Sequence, residues 1–325
     1  MNYIGSKAKL LPFIHATIEA FVGQDLSSKV FCDLFAGSGI VGHSFAQKGC
    51  TILSNDLEYY SYVLNHALLL TGELDDASNI ITLLNELPLK EGLMYHYYCH
   101  GSGSGRNYFS DENGKKIDAL RQGIETYKKD EKRYFFLLAS LLLSADKVAN
   151  TASVYSAFLK HLKPLAHVPL SLEPLDYQPT YKSHQIFCED ANVLISKIKG
   201  DILYLDPPYN RRQYGANYHI LNTIAHYDHF NPKGKTGVRS YESSSFCKPI
   251  SALHALEKLI KEAQFSYIFL SYNDEGLIVC EEIASMMRKY GKYNNVKVPH
   301  QRFKSYQNRF KKRLNYEHLH ILEKI

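Results

Sequence analysis

Short apolar runs that stop at a carboxylate recur along the chain. Val30-Phe31-Cys32 stops at Asp33, Thr51-Ile52-Leu53-Ser54-Asn55 at Asp56, and Ile202-Leu203-Tyr204-Leu205 at Asp206. Gln185-Ile186-Phe187-Cys188, Phe265 to Ser271 and His318-Leu319-His320-Ile321-Leu322 are further runs of this kind. Runs this short, alternating with helical stretches such as Ile40 to Lys48, predict buried strands of an α/β fold. The alternation holds from Val30 to about Gly72 and returns at Gln185. One sheet domain, residues 1–90 and 180–325, is therefore expected to be interrupted by an insertion at 91–179. The insertion holds the aromatic Tyr95-His96-Tyr97-Tyr98, the flexible Gly101-Ser102-Gly103-Ser104-Gly105-Arg106-Asn107 and a helix-like region from Lys115 to about Lys147. Its longest greasy stretch, Tyr134 to Leu143, is far shorter than the roughly 20 residues of a membrane span.

In open α/β sheets ligands bind beyond the carboxyl ends of the strands, which directs attention to the residues after each run. Asp206-Pro207-Pro208-Tyr209 offers a carboxylate, two prolines that stiffen the backbone and remove two donors, and a ring. That surface suits a flat base bearing an amino group. Such an amine is a poor nucleophile because its lone pair is delocalised into the ring. Hydrogen bonds to Asp206 and to the Pro207 carbonyl would favour a pyramidal nitrogen and aim its lone pair, while Tyr209 stacked on the base. Taken alone, the motif fits a strand-terminating turn equally well.

Asp33-Leu34-Phe35-Ala36-Gly37-Ser38-Gly39 reads as strand, glycine loop, helix. Gly37 and Gly39 allow close backbone approach to a ligand, and Asp33 can accept from an ammonium group. The spacing is neither the dinucleotide fingerprint nor a P-loop, which argues against nicotinamide and nucleoside triphosphate ligands. Asp56 ends the next strand, where an acid can hold ribose hydroxyls. Loop and acid together point to a nucleoside cofactor.

With Asn2-Tyr3-Ile4-Gly5-Ser6-Lys7, Asn55-Asp56 and Glu189-Asp190-Ala191 added, the set resembles the Dam-like (D12) class of DNA adenine methyltransferases. The match extends to Leu270 through Gly276 and to Arg302-Phe303-Lys304-Ser305. Tyr3 and Ser6 depart from the tryptophan and glycine of many relatives. The resemblance implies a Rossmann-like class I methyltransferase sheet with helices on both faces and an inserted, mainly helical target-recognition lobe. It implies S-adenosylmethionine as cofactor, held by Tyr3, Lys7, Asp33, Phe35, Ala36, Gly37, Ser38, Gly39, Asp56, Asp190 and Ala191. Asp206, Pro207, Pro208 and Tyr209 would hold an adenine flipped out of double-stranded DNA for methylation of its exocyclic amine. A restriction-modification role with a cognate endonuclease also follows from the resemblance.

Composition adds little to this and contradicts none of it. The net charge of +5 hides a basic segment at Lys297, Arg302, Lys304, Arg309, Lys311, Lys312 and Arg313, with no acid among them. It could contact phosphates or form a solvated hairpin face. Arg211, Arg212, Lys233, Lys235, Arg239 and Lys248 continue the trend after Asp206. Arg106 and Asn107 are candidates for DNA contact in the insertion, and Asn150 through Tyr155 for a base-facing loop. Tyr214, Asn217 and Tyr218 could clamp the extruded nucleotide, although a helix carrying Leu221, Ile224 and Ala225 and capped by Asn217 accounts for them better. Cys32, Cys50, Cys99, Cys188, Cys247 and Cys280 are scattered, with no C-x-x-C pair, and the histidines show no metal spacing of the H-E-x-x-H kind. Reduced thiols in a cytoplasmic protein without metal are expected. Three rivals stay open: methylation of a cytosine amine, where serine commonly replaces the leading Asp; an RNA or protein-glutamine substrate, the latter usually with Asn; and a binding module that lost catalysis.

Overall fold

The computed structural model describes residues 6–300 and 315–325. Its strands are β1 (Val30–Asp33), β2 (Thr51–Asn55), β3 (Gln185–Phe187), β4 (Lys199–Leu205), β5 (Gln264–Asn273), β6 (Gly291–His300) and β7 (Asn315–Lys324). They form one sheet in the order β3-β2-β1-β4-β5-β7-β6. β7 runs antiparallel to β5 and β6, and the other neighbours are parallel. This is the open, Rossmann-like α/β sheet that was expected.

The helices of the sheet domain are α1 (Leu11–Val22), α2 (Ile40–Ala46), α3 (Tyr59–Leu70) and α4 (Ala77–Asn85). The insertion contributes α5 (Leu93–Tyr98), α6 (Asp111–Glu125) and α7 (Glu131–Val148). After it come α8 (Ala191–Leu194), α9 (Tyr214–Asn217), α10 (His219–His226), α11 (Ala252–Glu262) and α12 (Cys280–Met287). No helix among the described residues is long and apolar enough to cross a membrane.

The central strands are apolar on both faces because each face is covered. Phe31, Ile52, Ile202 and Phe269 pack with α1 and α2 on one side, and Cys32, Leu203 and Ile268 with α8, α11 and α12 on the other. Winding runs from β1 to β2 and β3 in one direction and from β4 to β5 in the other. The switch point, where an open sheet leaves a crevice, thus lies between β1 and β4. Register sets what meets there: Asp33 pairs with Tyr204, so Asp33 and Asp206 sit at the same end of neighbouring strands.

A third apolar cluster joins the insertion to the sheet domain. Leu138, Leu141 and Leu142 of α7 pack with Val63 and Leu64 of α3 and Leu221 and Ile224 of α10. The region expected as one helical stretch from Lys115 to Lys147 is two helices. Ser110 caps α6 by accepting from Asn113 N (3.3 Å), and Asp130 caps α7 by accepting from Arg133 N (3.2 Å), so the chain restarts at Asp130. Asn217 is not a cap either. It is the last residue of α9 and is buried, and Tyr218 stands at the start of α10 with no side-chain cap bond.

Candidate functional site

A cleft with about 880 Å³ of space, partly open to solvent, lies over the switch point. One wall is the loop after β1. Asp33 is buried at the strand end and accepts from Gly42 N of α2 (3.0 Å). The loop then turns on Gly37 (φ 52°) and Gly39 (φ 79°), conformations that L side chains rarely adopt. Asp56 Oδ2 accepts from Gly37 N (2.8 Å) and its Oδ1 from Glu58 N (2.9 Å), while Ser61 Oγ donates to the Gly37 carbonyl (2.5 Å). Asn55 fixes the second wall: its Nδ2 donates to Leu34 O and Glu189 O (both 3.1 Å) and its Oδ1 accepts from Glu189 N (3.0 Å). Asp190 caps α8 by accepting from Asn192 N (2.8 Å), with Ala191 buried behind it. Phe35 meets Phe246 edge-on (ring centroids 5.0 Å apart) at the open side, and Ser38 lines the cleft beside it.

Gly39 has no room for a side chain. A Cβ there would stand 2.8 Å from both Asn65 Oδ1 and Leu68 Cδ1, at a positive φ. Gly39→Ala is expected to lose about 1–3 kcal/mol of stability in urea unfolding and to bind cofactor more weakly by calorimetry.

Asp206 follows β4 at the other side of the cleft, its side chain 17% exposed. Lys7 Nζ lies 3.0 Å from Asp206 Oδ1 and 2.9 Å from Glu317 Oε1, and both Lys7 and Glu317 are buried. Glu317 also accepts from Ser271 Oγ (2.6 Å). Pro207 is buried and Pro208 lines the cleft. Tyr209 is half-buried; its ring packs edge-on to Tyr272 at 6.1 Å, its carbonyl accepts from Leu277 N (3.0 Å), and Lys7 Nζ lies 5.8 Å from the ring centre.

The cleft is acidic, and several of its carboxyls are buried in its walls. Lys7 is the one lysine or arginine among its described lining residues, against Asp33, Asp56, Glu58, Glu189, Asp190, Asp206 and Glu242. Burial pushes the Asp33 carboxyl up to about 8, with the charges of Asp206 and Asp56 adding to it against the Gly42 N–H. Burial and the Asp56 charge push Glu58 up to about 7. Asp206 is raised by burial to about 6, with Lys7 opposing and Glu317 reinforcing. Burial alone would lower the Lys7 ammonium, but Asp206 and Glu317 raise it well above its ordinary value.

These raised carboxyls make two pH predictions. Above about pH 6.5, where the buried histidines are neutral in both states and no longer oppose the effect, the folded chain still holds protons on Asp33 and Glu58 that the unfolded chain has released, so the ligand-free protein should melt at lower temperature as pH rises from there to about 8. A cationic ligand favours the ionised carboxylates, so its binding should expel protons and tighten up to about pH 8, as calorimetry in two buffers of different ionisation enthalpy will show.

Lys7, Asp33, Phe35, Ala36, Gly37, Ser38, Asp56, Asp190, Ala191, Asp206 and Pro208 all line the cleft, whereas Gly39, Pro207 and Tyr209 are next to lining residues in the chain without lining it themselves. Tyr3, Lys304 and Arg309 lie outside the described residues. Arg211 and Arg212 are exposed, in the segment between the cleft-lining Pro208 and Gln213. Arg106 is turned inward, donating to the carbonyls of Tyr97 (3.2 Å), Gly234 (3.2 Å) and Lys235 (3.3 Å). Asn107 donates to Lys160 O (2.8 Å), and Asn150 is buried and donates to the Asn107 carbonyl (2.8 Å). Arg239 pairs with Asp228 (3.0 Å) and is largely covered. Glu58, Glu242 and Glu317 were not anticipated. Glu58 was visible two residues after Asp56, whereas nothing local marks Glu317.

Comparison with known proteins agrees with this geometry. A family described as D12 class N6 adenine-specific DNA methyltransferase matches residues 3–286. The chain is 53% identical to Type II methyltransferase M.NlaIII of Neisseria lactamica, over 100% of this chain and 99% of that protein. It is 39% identical to Type II methyltransferase M.CviAII of Paramecium bursaria Chlorella virus 1, over 94% of this chain and 93% of that protein. Type II methyltransferase M.FokI of Planomicrobium okeanokoites is also 39% identical over 94% of this chain, which spans 50% of that larger protein.

Proposed function

The chain belongs to the D12 class of N6 adenine-specific DNA methyltransferases, and from that premise we propose which of its residues carry the reaction and what the enzyme serves. The observation that carries the reading is the placement of Asp206 to Tyr209 across the switch point from the Asp33 to Gly39 loop, in one acidic cleft.

The cleft suits S-adenosylmethionine, the cofactor of this class, because buried carboxylates with a single lysine among them favour a ligand that carries ammonium and sulfonium charges. Asp33 would face the amino acid part, Asp56 the ribose and Asp190, beyond β2 from Asp33, the purine end of the cofactor, with the Gly37 to Gly39 backbone close against the ligand. Bound there, the cofactor supplies a methyl group made electrophilic by positive sulfur. Asp206 has Oδ1 engaged by Lys7, which leaves Oδ2 to accept from the adenine amine, and the Pro207 carbonyl takes the second amine hydrogen. The nitrogen lone pair is then directed along the line of attack. As the N–C bond would form and the methyl–sulfur bond break, its electron pair staying on sulfur to leave a neutral thioether, the charge growing on nitrogen would fall beside Asp206, and the amine proton would be lost to solvent. Tyr209, held by Tyr272 and Leu277, stacks on the extruded base, an interaction of about 1–3 kcal/mol.

Arg211 and Arg212 are placed to meet phosphates at the cleft mouth, and Lys304 and Arg309 would extend that face. Arg106 and Asn107 support DNA binding indirectly, by holding the loop at 101–107 in shape. Residues 91–179 serve as the target-recognition lobe on a sheet domain of residues 1–90 and 180–325. Near full-length likeness to proteins named Type II methyltransferases favours a restriction-modification role beside a cognate endonuclease. The test is transfer of tritiated methyl from S-adenosylmethionine to unmethylated genomic DNA, followed by hydrolysis. Label in 6-methyladenine is expected; label in cytosine would overturn the assignment of the base.

A further inference from the structure

Away from the cleft, β7 presents His318 and His320 on one side, because alternate residues of a strand point the same way. Cys280 opens α12 beside them, and one ligand atom from each of the three residues lies within 4.8 Å of the others. Cys280 Sγ is 3.8 Å from His318 Nδ1. Sulfur and nitrogen on one tetrahedral zinc ion stand roughly 3.5 Å apart, so a small side-chain adjustment closes the chelate.

The surroundings fit a metal site. Asp274 Oδ1 lies 2.8 Å from His318 Nε2, a carboxylate that draws the ring proton to Nε2 and leaves the Nδ1 lone pair facing Cys280. Asn295 Oδ1, another acceptor, lies 3.1 Å from the same Nδ1. His320 Nδ1 accepts from the Tyr293 hydroxyl (2.8 Å) and Asn295 Nδ2 (3.1 Å), and a metal ion bound at this nitrogen would replace both donors. The three ligand atoms converge around the Asn295 amide, whose Nδ2 also lies 4.0 Å from Cys280 Sγ, so that side chain would swing aside as an ion enters. Both histidines are buried, and the cleft they line opens beside Glu281, which leaves a way in and space for water as a fourth ligand.

We propose that Cys280, His318 and His320 bind one zinc-class divalent cation, with Asp274 orienting His318 from outside the coordination shell. The thiol gives its proton to solvent as its sulfur joins the metal. The ion fastens the start of α12 to β7, which brackets the 274–279 loop whose Leu277 holds the Tyr209 carbonyl. The site escaped the sequence because Cys280 and His318 are 38 residues apart and come together only through the pairing of β7 with β5.

The test uses the full chain, stripped with a chelator and dialysed, and titrated with Zn²⁺ against a chromophoric competitor. One equivalent should bind, and Co²⁺ in its place should give thiolate-to-cobalt charge-transfer absorption. Cys280→Ser, which changes one atom at a half-exposed position, should abolish that absorption and weaken zinc about 100-fold. Asp274→Asn should keep the absorption and weaken zinc about 10- to 100-fold. Zinc uptake by the parent chain no tighter than by Cys280→Ser, or cobalt binding without the charge-transfer band, overturns the proposal.

Discussion

Asp206→Ala is expected to bind S-adenosylmethionine within about threefold of the parent affinity while methyl transfer slows by roughly a thousandfold or more, the signature of an interaction made in the transition state. The cofactor wall is built from the ends of β1 and β2 and the start of α8, and Asp206 stands across from it after β4. Its loss leaves Asp33, Asp56 and Asp190 in place. Lys7 stays paired with Glu317, so the deletion strands no buried cation. What disappears is the carboxylate that orients the amine and offsets the charge it gains. Single-turnover transfer and calorimetric cofactor binding, measured on the same preparation, separate the two effects. Turnover near that of the parent would sink the role of Asp206. Equal losses in binding and transfer would instead make Asp206 part of the cofactor wall.

The strands that carry this chemistry were legible because each is a short apolar run buried on two faces and ended by an acid. Thr51–Asn55 and its following Asp56 needed no tertiary knowledge. β6 was not legible. Gly291–His300 is largely polar and becomes a strand only because β7 offers it an edge to pair with. The insertion was recognisable by composition, but its boundary was less so, since one apolar cluster runs through α3, α4, α7 and α10 regardless of where the helices fall in the chain. Basic residues misled in the other direction. Charge predicts solvent and phosphate, yet Arg106 and Arg239 lie along the fold and satisfy carbonyls or an acid within it. Glu317 shows the deepest gap. It precedes an apolar run by one residue, and its partner Lys7 lies 310 residues away.

Lys7→Met should be the most destabilising single change in the cleft. Methionine keeps much of the lysine stem but leaves Asp206 and Glu317, both within 3.0 Å of the lost ammonium, as two neighbouring carboxylates with no cation between them. Breaking a buried ion pair from one side costs about 3–5 kcal/mol, because the charge left behind has lost its counterion in a poorly solvated place. The cost depends on pH in a known direction. Asp206 is already raised to about 6 with Lys7 in place, and without that cation its pKa climbs further, so protonation relieves the repulsion at low pH and the full loss appears above neutrality. Urea unfolding at pH 8 should therefore show the large loss and at pH 5 a smaller one. Lys7→Met combined with Glu317→Gln removes the second charge and should recover much of the stability. A loss below about 1 kcal/mol at pH 8, or no recovery in the double variant, would mean that the triad is not held by charge. Transfer follows the same logic: a protonated Asp206 donates where it must accept, so the acid limb of the rate profile should move to higher pH in Lys7→Met. That shift ties the amino-terminal lysine to the chemistry through the carboxylate it neutralises, a role that cofactor contact alone would not give it.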